Sequence, residues 1–223
     1  MISKDTLLFL DDLKENNYRD WFQANQDRYA GFKKEYKQIT EAFIAELSKS
    51  DSTLSHLEFK DCSFRINKDI RFSKDKSPYK TNMGIWISPG SKSDNLAGYY
   101  VHIEKGAGFI AAGIHMPDAN DLKKIRREID GFYEDLEEIV AALEFKKLYN
   151  GLDSDEKNTL KTSPKDYDKD HPAIAFLKLK SFTATAKLSD KDFTSKDFIT
   201  ETAKKLLVLK PLVDFLNRGL TTE

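Results

Sequence analysis

The chain has 223 residues, 39% hydrophobic and 12% aromatic, which is enough apolar surface for a substantial core in one large domain or two small ones. Its 36 basic and 37 acidic side chains nearly cancel, which excludes a global field drawing the whole molecule to nucleic acid or a membrane; any electrostatic recognition has to be local. A single cysteine, Cys62, excludes an intramolecular disulfide framework and a Cys-rich zinc site, and the start MISKDTLLFLDDLKENN reads as neither signal peptide nor membrane span, so a cytoplasmic setting is expected.

In chain order, residues 4 to 14 place Leu7, Leu8, Phe9, Leu10 and Leu13 among acids and lysine, the pattern of a short amphipathic helix. Asn16 and Asn17 end it, and Asn17 is expected to cap the next helix, with Asp20 three places on as its partner. Apolar residues from Trp21 to Leu47 then recur at threes and fours up to about Ser50, as one long helix or two with a break near Gly31. From Asp61 the period becomes two, with Cys62, Phe64 and Ile66 alternating against Ser63, Arg65 and Asn67, which predicts a strand. Residues 83 to 88 (MGIWIS) predict a second strand, closed by Pro89 and Gly90. GYYVHIE and FIAAGIH predict a hairpin, with glycine in Lys105-Gly106-Ala107-Gly108 supplying the positive φ of the turn.

Helix returns at 118 to 142, opening at Asp118 or Asn120, with Ile125, Ile129, Phe132, Leu136, Ile139 and Leu143 as its apolar face. A polar loop (150 to 170), a short helix from His171 to Leu179, a fifth strand from Ser181 to Leu188 and a closing helix from Ser195 to Arg218, disturbed at Pro211, complete the reading. Helices, then strands, then helices make an α+β fold: a single domain over 1–223 with a central, mainly antiparallel sheet of about five strands flanked by N-terminal and C-terminal helices.

A two-residue turn at Gly106-Ala107 pairs hairpin positions whose numbers sum to 213. One face then collects Tyr99, Val101, Ile103, Ile110, Ala112 and Ile114, which is core. The other carries Gly98, Tyr100, His102, Ala111, Gly113 and His115, polar tips among very small residues, which leaves space for a ligand or for a closely packed helix.

The strongest chemical signal is Arg65 through Lys80, where Arg65, Lys68, Arg71, Lys74, Lys76 and Lys80 face only Asp69 and Asp75. Arginine offers paired donors matched to carboxylate or phosphate oxygens, and lysine a mobile point charge. Ser73, Ser77, Thr81 and Tyr79 add hydroxyls, and Pro78 stiffens the loop, so the segment is able to surround an anion. Equally, Arg65 or Arg71 could be consumed in a structural ion pair with Asp69.

At these residues the chain resembles the DUF2461 family, whose Arg-x-x-Arg-Asp-x-Arg-Phe core is followed by an acidic-Lys pair and a tyrosine. Here the signature reads Arg65-Ile-Asn-Lys68-Asp69-Ile-Arg71-Phe72, then Asp75-Lys76-Ser-Pro-Tyr79-Lys80, with Lys68 in place of the usual arginine. The resemblance extends to NNYRDWF, GYYVHI and HPAIAFLKLKSF. It implies a fold and a site location but no chemistry.

There is no P-loop, Gly-x-Gly-x-x-Gly, Gly-x-Ser-x-Gly or His-Glu-x-x-His, and the sequence names no cofactor. His102-x-Glu104 lacks the Pro-Cys-x-x-Cys partner of zinc deaminases, and two histidines without a third spaced ligand do not make a metal site. For His171, before Pro172 near a helix start, capping is the simplest task. The leading expectation is therefore a small anionic ligand held by Arg65, Arg71, Lys76, Tyr79, Lys80, Tyr100 and His115, with Asp69 orienting the arginines and His102 moving protons, with or without catalysis. The alternative is a nucleic-acid-binding or protein-interaction loop, and the near-zero net charge argues against nucleic acid.

Overall fold

The structure is a computed structural model and describes residues 1–90 and 94–222. α1 (Lys4–Glu15) starts at Ser3, whose hydroxyl accepts the Thr6 N–H at 3.2 Å, and turns Phe9, Leu10 and Leu13 inward. Asn17 does not cap the next helix. Its amide brackets Tyr79 instead, accepting that residue's N–H at 3.0 Å and donating to its carbonyl at 2.9 Å, while α2 (Arg19–Ala24) opens after Tyr18 with no side-chain cap. The helix break falls at Asn25 (φ −115°, ψ 27°) rather than Gly31, and α3 (Gln26–Ser48) runs unbroken through that glycine.

The strand expected over 61–67 does not form. A single turn, α4 (Phe59–Cys62), takes its start, and the residues after it make only isolated bridges, Ser63 to Ile85 and Asn67 to Tyr79. Cys62 and Ile66 point inward while Phe64 is 41% exposed, a spacing of four where a half-buried strand needs two.

Among the described residues the sheet therefore has four strands rather than five: β1 (Met83–Ile87), β2 (Gly98–Ile103), β3 (Phe109–Ile114) and β4 (Phe182–Lys187), antiparallel and in that order. Helices flank it, and the α+β class stands. The hairpin turn is closed by the Ala107 N–H on the Glu104 carbonyl at 3.1 Å, with Gly106 at φ 71°, so its centre is Lys105-Gly106, one residue earlier than expected. Moving a two-residue turn by one position changes the sum of paired numbers by two, a full pleat period, so every side chain keeps its face. Tyr99, Val101, Ile103, Ile110, Ala112 and Ile114 are all buried as expected.

On the opposite face the space beside Gly113 is taken by backbone. Gly113 has φ 121°, and a Cβ there would lie 1.9 Å from the Phe182 carbonyl oxygen, so only glycine lets these strands approach. β3 stops at Ile114, and His115 is exposed beyond it.

The helix expected over 118–142 is interrupted at Phe132 (φ −141°, ψ 38°), giving α5 (Ala119–Gly131) and α6 (Tyr133–Ala141), and α7 (Leu143–Tyr149) comes next. α8 (Ile174–Leu177) is shorter than the predicted His171–Leu179; His171 Nδ1 accepts the Ala173 N–H at 3.0 Å near its start, and Nε2 meets Asp130 at 2.9 Å. A short helix, α9 (Asp190–Thr194), precedes the expected closing helix, which is itself two: α10 (Phe198–Leu207) and α11 (Lys210–Thr221). Pro211 starts α11 rather than disturbing it, because a first-turn proline gives up no helical hydrogen bond.

Close contacts divide the chain into two compact units: Met1–Ile87 with Tyr100–Ile110 and Lys187–Ala203, and Ser88–Tyr99 with Ala111–Ala186 and Lys204–Glu223. In the first, α1 packs on α3 around Phe9, Leu13, Phe32, Phe43 and Leu47. In the second, α11 packs on α5, where Gly219 lies against the side chain of Glu128 and Arg218 pairs with Glu128 and Asp135. No described helix is long and apolar enough to cross a membrane.

Candidate functional site

The first unit contains a cavity of about 660 Å³. Its walls come from α3, α4, the 63–68 segment, Lys80, Asn82, β1 and the start of the hairpin. Along α3, Tyr29, Phe32, Lys33 and Tyr36 stand at i, i+3, i+4 and i+7 and so share one face. Tyr36 organises the interior: its hydroxyl donates to the Gly84 carbonyl and accepts the Phe64 N–H at 2.9 Å, tying helix, strand and the 63–68 segment together. Burial pushes its phenol well above the ordinary tyrosine value, so it stays neutral. Phe59 meets the Tyr36 ring edge-on at 5.2 Å.

The rim is cationic. Lys33, Lys60, Arg65, Lys68 and Lys80 line the cavity and, among the described residues, no carboxylate does. Lys60 pairs outward with Glu58 at 3.0 Å, and Lys68 is held by Asp75 and the Ser77 hydroxyl, both at 2.8 Å. Lys80 donates to the Arg65 carbonyl at 2.9 Å and lies over the Phe64 ring at 5.2 Å. Arg65 is exposed and, among the described residues, no carboxylate reaches its guanidinium within 4.0 Å.

Tyr100, from β2, also lines the cavity, with its hydroxyl beside Gly84; a Cβ on that glycine would stand 2.7 Å from the phenol oxygen. Behind it lies a chain of polar groups. The Tyr100 hydroxyl is 3.0 Å from His102 Nδ1, His102 Nε2 is 3.2 Å from Glu104 Oε2, and Lys14 donates to Glu104 Oε1 at 3.1 Å. Asn82 lies 3.3 Å from the same Nε2, and Phe109 stacks on the imidazole at 4.7 Å and 13°, fixing its plane. Burial would raise the Glu104 carboxyl, but the hydrogen bonds from His102 and Lys14 outweigh it and hold the group below its usual value. The phenol of Tyr100 is raised by burial and by the charge of Glu104.

The remaining residues singled out from the sequence lie elsewhere. Arg71 is 75% exposed and bidentate to Asp69, at 2.7 and 3.0 Å, and that guanidinium lowers the Asp69 carboxyl. Lys76 donates to the Ile70 carbonyl at 2.9 Å. Tyr79 is buried, its ring stacked on Phe22 at 4.0 Å and its backbone held by Asn17. None of these four lines the cavity, and His115 belongs to the second unit. Arg65, Lys80 and Tyr100 are thus brought together with His102 directly behind. The α3 wall was not legible as such, although Tyr29, Lys33 and Tyr36 on the face that continues as Ile39, Phe43 and Leu47 were a signal for it.

Among the described residues, no group of three or more His, Cys, Asp or Glu side chains is placed to hold a metal ion. No curated protein and no solved structure matches the chain. A family model described as "Conserved hypothetical protein (DUF2461)" matches residues 5–215, and the chain belongs to that family.

Proposed function

We propose that the protein binds a small ligand bearing a phosphate or carboxylate in the cavity of its first unit. The anionic group sits at the rim on Arg65, Lys33 and Lys80, and the apolar body of the ligand lies against Phe32, Phe59 and Phe64. One observation carries this reading: five cations line the cavity and, among the described residues, no carboxylate does. Aromatic walls with a few convergent charges are what a small-molecule site needs. The basic loop contributes through its base, Lys80 beside Arg65, rather than through Arg71 or through Lys68, which Asp75 and Ser77 hold.

A thermal-shift screen of nucleotides, sugar phosphates, coenzyme A derivatives and dicarboxylates tests the reading. At a hundredfold excess over its dissociation constant a true ligand adds roughly 2.7 kcal/mol, or about 5 to 10 °C in a chain of this length. The shift disappears in Arg65→Ala.

A second reading has its own observation. Phe72 is 95% exposed beside Arg71, with Lys74 and Lys76 exposed nearby, an arrangement suited to stacking on a base with the cations on phosphates. Binding to single-stranded DNA or RNA would then fall steeply with salt, and an absent or salt-insensitive titration eliminates it.

A further inference from the structure

Resting on that cavity as a ligand site, we propose that Tyr100, His102 and Glu104 form a proton relay which makes the Tyr100 oxygen a base toward the bound ligand. The distances define the direction of the relay. Glu104 is a carboxylate, which only accepts hydrogen bonds, so the proton between it and His102 sits on Nε2. Nδ1 of the neutral imidazole is then an acceptor, and the Tyr100 phenol donates to it across 3.0 Å. The Asn82 amide nitrogen, Nδ2, lies 3.3 Å from the same Nε2 and Phe109 stacks on the ring, so both fix where the imidazole stands while Glu104 takes its proton-bearing edge. Lys14 holds the far oxygen of Glu104, which completes the order Lys14, Glu104, His102, Tyr100, cavity.

This is the logic of a carboxylate-histidine-hydroxyl triad with a phenol as its last member. Because burial raises the Tyr100 phenol, no free phenolate stands ready, and the oxygen becomes basic only as it passes its own proton on. In the step itself a ligand X–H bond breaks and a new O–H bond forms at Tyr100. The original phenol proton moves to His102 Nδ1, and the imidazolium that results is stabilised by Glu104. The ligand gains one negative charge, which the cations of the rim are placed to offset. Tyr100 is the reacting residue; His102 and Glu104 act through it as positioning residues. The class of reaction is proton abstraction from an anionic, partly apolar substrate.

Oxygen reactivity can be read without knowing the substrate. Benzenesulfonyl fluoride and 4-(fluorosulfonyl)benzoate both react with an activated phenol: the S–O bond forms, the S–F bond breaks, fluoride leaves, and the phenol proton goes to His102. Peptide mass spectrometry of the intact, folded protein should show Tyr100 labelled at least tenfold faster than the exposed Tyr18 by either reagent. That preference should be lost in His102→Gln and Glu104→Gln and partly kept in Glu104→Asp, with melting curves recorded for each. Glu104→Gln serves should His102→Gln fail to fold. Labelling of Tyr100 no faster than Tyr18, or undiminished in a folded His102→Gln or Glu104→Gln, overturns the relay. The carboxylate tests the binding reading separately: it should speed labelling about tenfold over the uncharged reagent, and Arg65→Ala should erase that advantage alone. A relay with no carboxylate advantage rejects the binding reading, and an advantage at an ordinary tyrosine rate rejects the relay.

Discussion

Arg65 and Arg71 stand six residues apart in one cationic stretch and end in opposite circumstances. Arg71 projects into solvent and folds back on Asp69 in a bidentate pair closed over two residues of sequence, while Arg65 lies at the mouth of an aromatic cavity with, among the described residues, no carboxylate within reach. The same split divides the lysines, since Lys68 is drawn to Asp75 and Ser77 within the loop, whereas Lys33 faces the cavity from a helix. A basic stretch thus serves two purposes. The part with acids two to seven residues away neutralises itself and shapes the loop, and the part facing apolar walls keeps a field for an incoming anion.

Replacing each arginine in turn puts this contrast at greatest risk. With a ligand from the screen bound, Arg65→Ala should remove a stabilisation of about 2.7 kcal/mol, and Arg71→Ala should leave it in place. Neither change should alter the unliganded protein by more than about 0.5 kcal/mol, because exposed charges contribute little to folding. Equal loss in both variants would dissolve the distinction.

The cavity's dependence on tertiary packing is sharpened by Tyr36→Phe. Its hydroxyl serves the Gly84 carbonyl and the Phe64 N–H, and leaving those groups unserved should cost about 2 kcal/mol in urea denaturation. Ligand affinity should fall with it, whereas the loop around Asp69 and Arg71, bonded only to itself, should keep its protection from hydrogen exchange.

The smallest effect concerns pH. Glu104 is held below the ordinary glutamate value in the folded state, so its bonds to His102 and Lys14 stabilise the protein above that value and are lost as pH falls through the lower, folded one. Urea midpoints measured from about pH 6 to about pH 3 should therefore drop less steeply in Glu104→Gln, by roughly 1 kcal/mol or less across that window. An unchanged slope would place the acid sensitivity on other carboxylates, with Asp69 and Asp75 of the basic loop next in line.

Much of the architecture was legible because periodicity reports burial directly. α1, α3, the hairpin and its two faces are dictated by which residues are apolar and at what spacing, and the face sorting survived a turn displaced by one position. Helix ends were legible only in part. The chain breaks at Asn25, where no proline or glycine stands, and at Phe132, directly after Gly131, while Gly31 sits inside α3 without interrupting it. The false strand at 61–67 arose because alternation over so few residues also fits one helical turn followed by an irregular segment. In the candidate site, Arg65, Lys80, Tyr100 and His102 stood in the right stretch, while Tyr29, Lys33, Tyr36 and Phe59 could not be assigned to a cavity from sequence distance alone.

By itself the sequence determined the class of fold, the buried face of each long element and the local excess of positive charge, since these depend on composition and on neighbours a few residues away. Which cations are spent on nearby acids, and which face a cavity whose walls are drawn from segments as far apart as Tyr29 and Tyr100, was decided only when the chain folded. Charge pairing acts over a few ångströms of space, and nothing in the linear order of residues measures that distance.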